Sequence, residues 1–304
     1  MKQILVLCTA LCLAWNAQAQ RDQIAPVDLE QLETLEDTLG LLAYAIVNDS
    51  LEENRFGAVR VFIPKLVEAL KHPHSFHYPF EQLQTVSIQY PQDSTFRIFT
   101  WQLYVDKDTY RYFGTIQMDT EELQLFPLRD RSDGFSSNLE QAEFTADEWY
   151  GALYYNIKEV EQVDGQKHYL LFGYDADSFF RKRKLVDVLT FPNGKPLFGK
   201  AVFVNPEEQT AKKRLVLEYS AAASIKLNYD PAHELILFDN LTTVGGSYGE
   251  GPVNIPDGTY QAYQLKAGQW EHIDKVFHTW LEEAPRPAPV LDGKRRGILG
   301  DGGQ

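Results

Sequence analysis

Between residues 29 and 46 apolar side chains recur every three or four positions, at Leu29, Leu32, Leu35, Leu39, Leu42 and Ile46. Glu30, Glu33, Glu36 and Asp37 fall off that stripe. The spacing predicts an amphipathic helix with one face on a core. Asn48-Asp49-Ser50 breaks it, and Ser50 with Glu53 has capping-box spacing for a second helix. Val59, Phe62, Ile63, Leu66, Val67 and Leu70 supply the apolar face of that helix. Pro64 lies inside the pattern and predicts a kink or a restart. Two helices this short form an antiparallel pair that needs a sheet to pack on.

From Leu83 the period changes to two. Phe96 to Tyr104 is apolar on both faces, and Asp106-Lys107-Asp108-Thr109 is turn chemistry leading into Tyr110 to Met118, which predicts a hairpin. Leu123 to Leu128 is a further short strand, Arg129 to Asn138 a polar loop, and Thr145 to Trp149 one helical turn. A second series follows: Leu153 to Val163 and His168 to Tyr174 across Asp164-Gly165, then Leu185 to Phe191 and Phe198 to Val204 across a Pro-Asn-Gly turn. Arg214 to Tyr219, Ser224 to Tyr229 and Glu234 to Phe238 look like a meander, with Ala221-Ala222-Ala223 as a hairpin turn. Tyr260 to Leu265 and Trp270 to Ile273 close the series, and a last short helix is expected over Asp274 to Glu283. The glycine-rich stretch from Thr242 to Gly258 predicts a long loop, mobile or functional.

The expected fold is α+β: an N-terminal helical pair packed on a large antiparallel β-sheet, sandwich or open barrel. The division is a signal peptide over 1–19, a leader over 20–26, the helical pair over 27–72, a β-rich domain over 73–283 in one unit with the helices, and a disordered tail over 284–304.

Lys2, the apolar run from Ile4 to Trp15 and Ala17-Gln18-Ala19 have the layout of a secretory signal with its cleavage site. Cys8 and Cys12, the only cysteines, lie inside it, so the mature chain has no disulfide, thiolate ligand or cysteine nucleophile. Export to the periplasm or the exterior is expected, without a lipidated cysteine, because Leu11 before Cys12 is too large for a lipobox. No later run approaches the ~18 apolar residues of a membrane helix. Cleavage removes Lys2 and no acid, making the formal charge one unit more negative than −14. Such a surface repels nucleic acid and favours solubility.

Tyr112-Phe113-Gly114, Phe96-Arg97-Ile98-Phe99-Thr100-Trp101, Tyr169-Leu170-Leu171-Phe172-Gly173 and Leu217-Glu218-Tyr219-Ser220 resemble a group of uncharacterised secreted proteins of Bacteroidota. The resemblance runs from about the second helix to the last strands. It implies a Gram-negative cell envelope and carries no catalytic residue to transfer.

His72, His74 and His77 form the one histidine cluster, and imidazoles suit zinc or copper. The competing reading is a polar segment following the C-terminus of the second helix, with Pro73 preventing helical stacking of the rings. Asp175 and Asp177 alternate as calcium ligands do, yet Arg181-Lys182-Arg183-Lys184 follows directly. A turn whose aspartates cap backbone amides and pair with those bases is the favoured alternative. Gly245 to Pro252 lacks the Lys-Ser/Thr end of a phosphate loop. Serine-nucleophile and zinc-protease signatures are missing from the sequence. Glu159, Glu218 and Asp239 lie in apolar strands, where paired carboxylates could serve glycoside hydrolysis or simply meet Arg and Lys. Among the many aromatics, Trp101, Tyr112, Tyr154 and Tyr248 are candidate ligand-binding residues, against the simpler expectation that most aromatics are core. The expectation is therefore an exported, non-enzymatic binding or envelope-associated protein without a cofactor, whose partner is an envelope protein, a glycan or a peptide. The alternative is a secreted hydrolase of glycans or peptides using paired carboxylates.

Overall fold

The computed structural model describes residues 24–106, 109–134, 138–161, 166–208, 210–246, 251–274 and 276. The signal peptide, Tyr248, most of the expected last helix and the tail lie outside them.

The helical pair forms as α1, Pro26–Asn48, and α2, Glu52–Leu70. Leu32, Leu39, Ala43 and Ile46 of α1 are buried, but so is Glu36, which the spacing placed off the apolar stripe. Its carboxylate accepts the Tyr78 hydroxyl and, at 2.7 Å, the Gln82 amide. A buried acid is tolerated there because both oxygens are satisfied, and it pins the segment linking the helices to the sheets. The expected Ser50–Glu53 capping box does not form. Leu51 is the cap residue, and Asp49 Oδ1 takes the Leu51 amide at 2.8 Å instead. Helix α2 also runs through Pro64 without a restart. Phe62 and Leu66 on either side are buried, while Pro64 is exposed, so water can solvate the carbonyl whose donor it removes.

Three sheets follow. The first has the order β1 (Ser87–Gln89), β2 (Phe96–Asp106), β3 (Thr109–Met118), β4 (Leu125–Arg129). The second runs β5 (Phe144–Thr145), β9 (Leu197–Phe198), β8 (Arg181–Thr190), β7 (Lys167–Asp175), β6 (Leu153–Glu161), with β11 (Leu215–Ser220) also paired to β8. The third runs β10 (Phe203–Val204), β15 (Gln269–Ile273), β14 (Pro252–Lys266), β13 (Leu235–Gly245), β12 (Leu227–Asp230). Among the described strands every pairing is antiparallel except β10 with β15.

Alternation along the strands stacks these elements into layers. Phe99, Trp101 and Leu103 of β2 face the helices. Phe96 and Ile98 face the second sheet, where they meet Tyr154, Tyr169, Leu171 and Leu185. The opposite face of that second sheet, through Leu170, Phe172, Val186 and Val188, packs on Ile236, Phe238, Tyr263 and Trp270 of the third. The molecule is an α+β sandwich in the order helices, sheet, sheet, sheet. Strand β7 is buried on both faces, as expected of the central layer.

Three details depart from the sequence reading. The strand expected over Phe198 to Val204 splits into β9 and β10, because Gly199 turns the chain at φ +107°. The three-strand meander does not form: β11 pairs with β8 in the second sheet, and only β12 pairs with β13. Ala221 to Ala223 is thus a crossing between sheets rather than a hairpin turn. The expected loop over Thr242 to Gly258 is largely strand, with Thr242, Thr243 and Val244 paired to Ile255, Asn254 and Val253. Pro252 and Pro256 are accommodated because β14 meets β15 only from Ala262 onward, which leaves their other edge without a ladder to break.

Candidate functional site

The hairpin register sets Trp101 beside Phe113 and Phe113 beside Arg129 in one row across the first sheet. All three lie on the face turned to α2. Between the C-terminal half of α2 and this face a cleft of about 490 Å³ opens. Ile63, Leu66, Val67 and Leu70 form its helical wall, and Trp101, Phe113, Leu125 and Pro127 its sheet wall. The Trp101 ring stacks on Phe113 at 5.8 Å and takes the edge of Phe62 at 5.1 Å, so the floor is rigid.

Polar groups in this cleft fall into two sets. In its walls, Trp101 Nε1 and Thr115 Oγ1 are buried without a hydrogen-bond partner among the described residues. Leaving a buried donor unpaired costs about 1–3 kcal/mol. At the mouth lie Arg111, Arg129 and Arg131 with Asp130 and Asp133. Arg129 reaches Asp147 at 3.5 Å in an exposed pair, worth little. Asp130 is tied down by the amides of Tyr112 and Ser132, both at 2.9 Å. Its carboxylate occupies space only glycine leaves open: a Cβ at Gly151 would sit 2.6 Å from it. On a chain of net charge −14, this mouth gathers three arginines against Asp130, Asp133 and Asp147, a local balance of charge rather than the general acidic excess.

Of the four aromatic candidates, Trp101 alone presents its ring to the cleft. Tyr112, on the inner strand β3, contributes to the cleft lining, but its ring packs toward the second sheet and its hydroxyl accepts the Ala176 amide at 2.7 Å. Tyr154 is enclosed between the first two sheets, accepting Trp149 Nε1 at 2.9 Å and donating to Asp187 at 3.3 Å. Tyr248 lies outside the described residues.

The histidine segment serves another purpose. His72 Nδ1 lies 3.1 Å from Asp28 of α1, while the His74 and His77 rings stack 6.5 Å apart. Between them Ser75 and Phe76 are buried against Arg97. Asp175 and Asp177 belong to a polar network at the end of β7. Asp175 accepts the Tyr150 hydroxyl at 2.5 Å and the Asp177 amide at 2.9 Å, and Arg183 reaches Asp177 at 2.6 Å and Glu218 at 2.8 Å. Burial pushes the Asp175 carboxyl above the usual carboxylate range, against the pull of Tyr150 and Arg183. No group of three or more His, Cys, Asp or Glu among the described residues is gathered to hold a metal ion.

The carboxylates considered for hydrolysis are each engaged separately. Glu218 meets Arg181 and Arg183, Glu159 meets Lys167 at 2.7 Å, and Asp239 accepts the Lys226 amide. Sequence reasoning missed Thr115 and the three arginines. Strand register was the signal that could have found Arg129, since it joins the row of Trp101 through Phe113 once β4 is paired to β3 as well as β3 to β2.

No protein-family model, curated protein or solved structure shows a significant match to this chain. No described helix is long and apolar enough to cross a membrane.

Proposed function

We propose that this chain is an exported, non-enzymatic binding protein of the cell envelope, and that the cleft beside α2 takes an apolar ligand carrying an anionic group. The observation that carries this reading is the combination in one cleft of aliphatic walls, an unpaired Trp101 Nε1 and a mouth with three arginines. Guanidinium groups pair well with carboxylate or phosphate. Aliphatic walls favour a hydrocarbon body, at roughly 25 cal/mol per Å² buried. A glycan would want more polar walls than Ile63, Leu66, Val67 and Leu70 offer. The signal-like first nineteen residues and the resemblance to secreted Bacteroidota proteins support export.

The test is a thermal melt of the chain from Gln20 with laurate, dodecanol and glucose. At a hundred times its dissociation constant a ligand adds about 2.7 kcal/mol of stability. Laurate should raise the melting temperature, dodecanol less, glucose not at all. Val67→Trp, which fills the cleft from the helix side, should abolish the laurate shift. A shift that survives Val67→Trp, or none with laurate, sinks the reading.

A further inference from the structure

A second cavity, of about 560 Å³, lies between β11 and the third sheet, far along the chain from the arginine-rimmed cleft. Its floor is apolar: Leu215, Leu217, Leu227 and Phe238. Its aromatic wall is Tyr263 and His272, whose rings meet at 5.2 Å, with Phe238 stacked on Tyr263 at 5.9 Å. Around the mouth stand Glu140, Glu207, Glu208 and Asp274 against a single base, Lys212.

Each charge can be followed. Lys212 Nζ lies 3.2 Å from Glu140 and 3.3 Å from Glu208, so this cation is already shared by two carboxylates. Glu207 has no ion pair among the described residues. Asp274 accepts only the Gln261 side-chain amide, at 3.3 Å. The same Gln261 lies 3.2 Å from His272 Nε2 through its carbonyl oxygen, which makes that nitrogen the donor and leaves Nδ1 as an acceptor. Burial lowers the His272 pKa despite the neighbouring Asp274 and Glu208, so the ring is neutral at neutral pH. Four carboxylates and one ammonium therefore leave the mouth strongly negative.

Acidic side chains on an acidic protein would by themselves mean only a solvated surface. Tyr263 separates this place from such a surface. It is 5 % exposed, lines the cavity, and its hydroxyl makes no hydrogen bond among the described residues. Burial and the nearby Glu208 and Glu140 hold that phenol protonated, well above its ordinary range. A nearly buried side chain whose hydroxyl opens into the cavity without a protein partner among the described residues, beside an unused imidazole nitrogen and carboxylates without ion pairs, makes a set of acceptors facing an aromatic wall. Organic cations match it: their N–H groups need acceptors, their charge needs carboxylates, and their carbon-rich faces pack on rings.

We propose that this cavity is a binding site for a small organic cation, an alkyl ammonium or guanidinium compound. Glu207 and Asp274 supply the countercharge, Tyr263 and His272 the aromatic and hydrogen-bonding wall, and Lys212 the cross-brace that holds Glu140 and Glu208 in place. The proposal is independent of the anionic ligand assigned to the other cleft.

The experiment is calorimetric titration of the chain with agmatine, putrescine and choline, with acetate and glucose as controls, at low and high salt. At least one cation should bind, and its affinity should fall about tenfold or more on raising the salt, as exposed carboxylates become screened. Tyr263→Phe keeps the ring and removes the hydroxyl. Glu207→Gln alters an exposed side chain, so neither variant should disturb folding, which circular dichroism verifies. Each should weaken cation binding several-fold, and Val67→Trp in the other cleft should leave it unchanged. Absence of binding by all three cations, equal binding of glucose, or affinity indifferent to both Tyr263→Phe and Glu207→Gln overturns the proposal.

Discussion

The Arg214 guanidinium lies 2.8 Å from the Asp187 carboxylate, and neither side chain reaches solvent. Arg214 also donates to the Leu139 carbonyl at 2.7 Å and lies 4.5 Å over the Phe144 ring, while Asp187 accepts the Tyr154 hydroxyl. The pair thus ties β8 to β11 and to the loop before β5. Removing one member of such a pair leaves an uncompensated buried charge, at about 3–5 kcal/mol. Arg214→Met should cost that much in urea unfolding. The double variant Arg214→Met with Asp187→Leu should recover a large part, because the desolvation cost of both ions disappears together. A double variant no more stable than the single one would show that the hydrogen bonds, not the charges, matter.

Arg97 is buried without a carboxylate partner among the described residues. Its guanidinium donates to Ser75 O, Tyr78 O, Tyr90 Oη and Gln117 Oε1 and lies within 5.8 Å of four ring centres, those of Phe76, Phe80, Tyr90 and Phe99. Only a planar fork reaches this many acceptors. Arg97→Lys keeps the charge but abandons several of them, and should destabilise by about 3 kcal/mol or more, read as a lower urea midpoint with an unchanged slope.

His168 is fully buried with both ring nitrogens unpartnered among the described residues. Burial, then the charge of Lys200, brings its pKa down from 6.5 to about 4. Between those two values the unfolded chain takes up a proton that the folded chain refuses. Stability is therefore complete above pH 6.5 and falls as the pH drops toward 4, by about 3 kcal/mol in total. His168→Leu should flatten this acid limb and change stability at pH 7 by less than about 1 kcal/mol. An acid limb unchanged in the variant would place the effect elsewhere.

Two glycines with positive φ should differ in cost. At Gly194, φ +73°, nothing lies within 4 Å of an added Cβ; at Gly199, φ +107°, the Ala142 carbonyl oxygen would be 2.5 Å away. Gly194→Ala should cost about 1 kcal/mol from backbone strain alone. Gly199→Ala adds a clash with main chain and should cost more than about 2 kcal/mol. Equal thermal shifts for the two would remove the clash as the source of the difference.

Periodicity makes the helical pair and the Phe96 to Met118 hairpin legible, because a stripe or an alternation sustained over about ten residues matches the geometry of one element type and no other. Sheet membership is not legible. Strands β11 and β12 are adjacent in sequence yet lie in different sheets, and nothing local to Ser220 through Ser224 encodes that crossing. Glycine and proline discount a strand when read locally, so the Thr242 to Gly258 stretch looks like a loop; its partner across the ladder decides otherwise. The cleft is half legible. Trp101 stands out as an aromatic, whereas Thr115 and Arg111 become notable only when β3 is brought to one cleft with α2. Glu36 looks like an exposed acid until Tyr78 and Gln82, over forty residues away, close around it.

Strand β10 joins the third sheet beside β15, although the chain comes to it from β9 and leaves it for β11, both in the second. The chain between residues 197 and 220 is therefore a stitch through two layers. No single cut separates the third sheet from the second, so neither can be inherited, swapped or expressed as an independent module. The Phe203↔Trp270 pairing cannot form until nearly the whole chain is present. The third sheet therefore closes late, on a contact of long sequence separation that slows its completion relative to the local hairpins of the first two sheets.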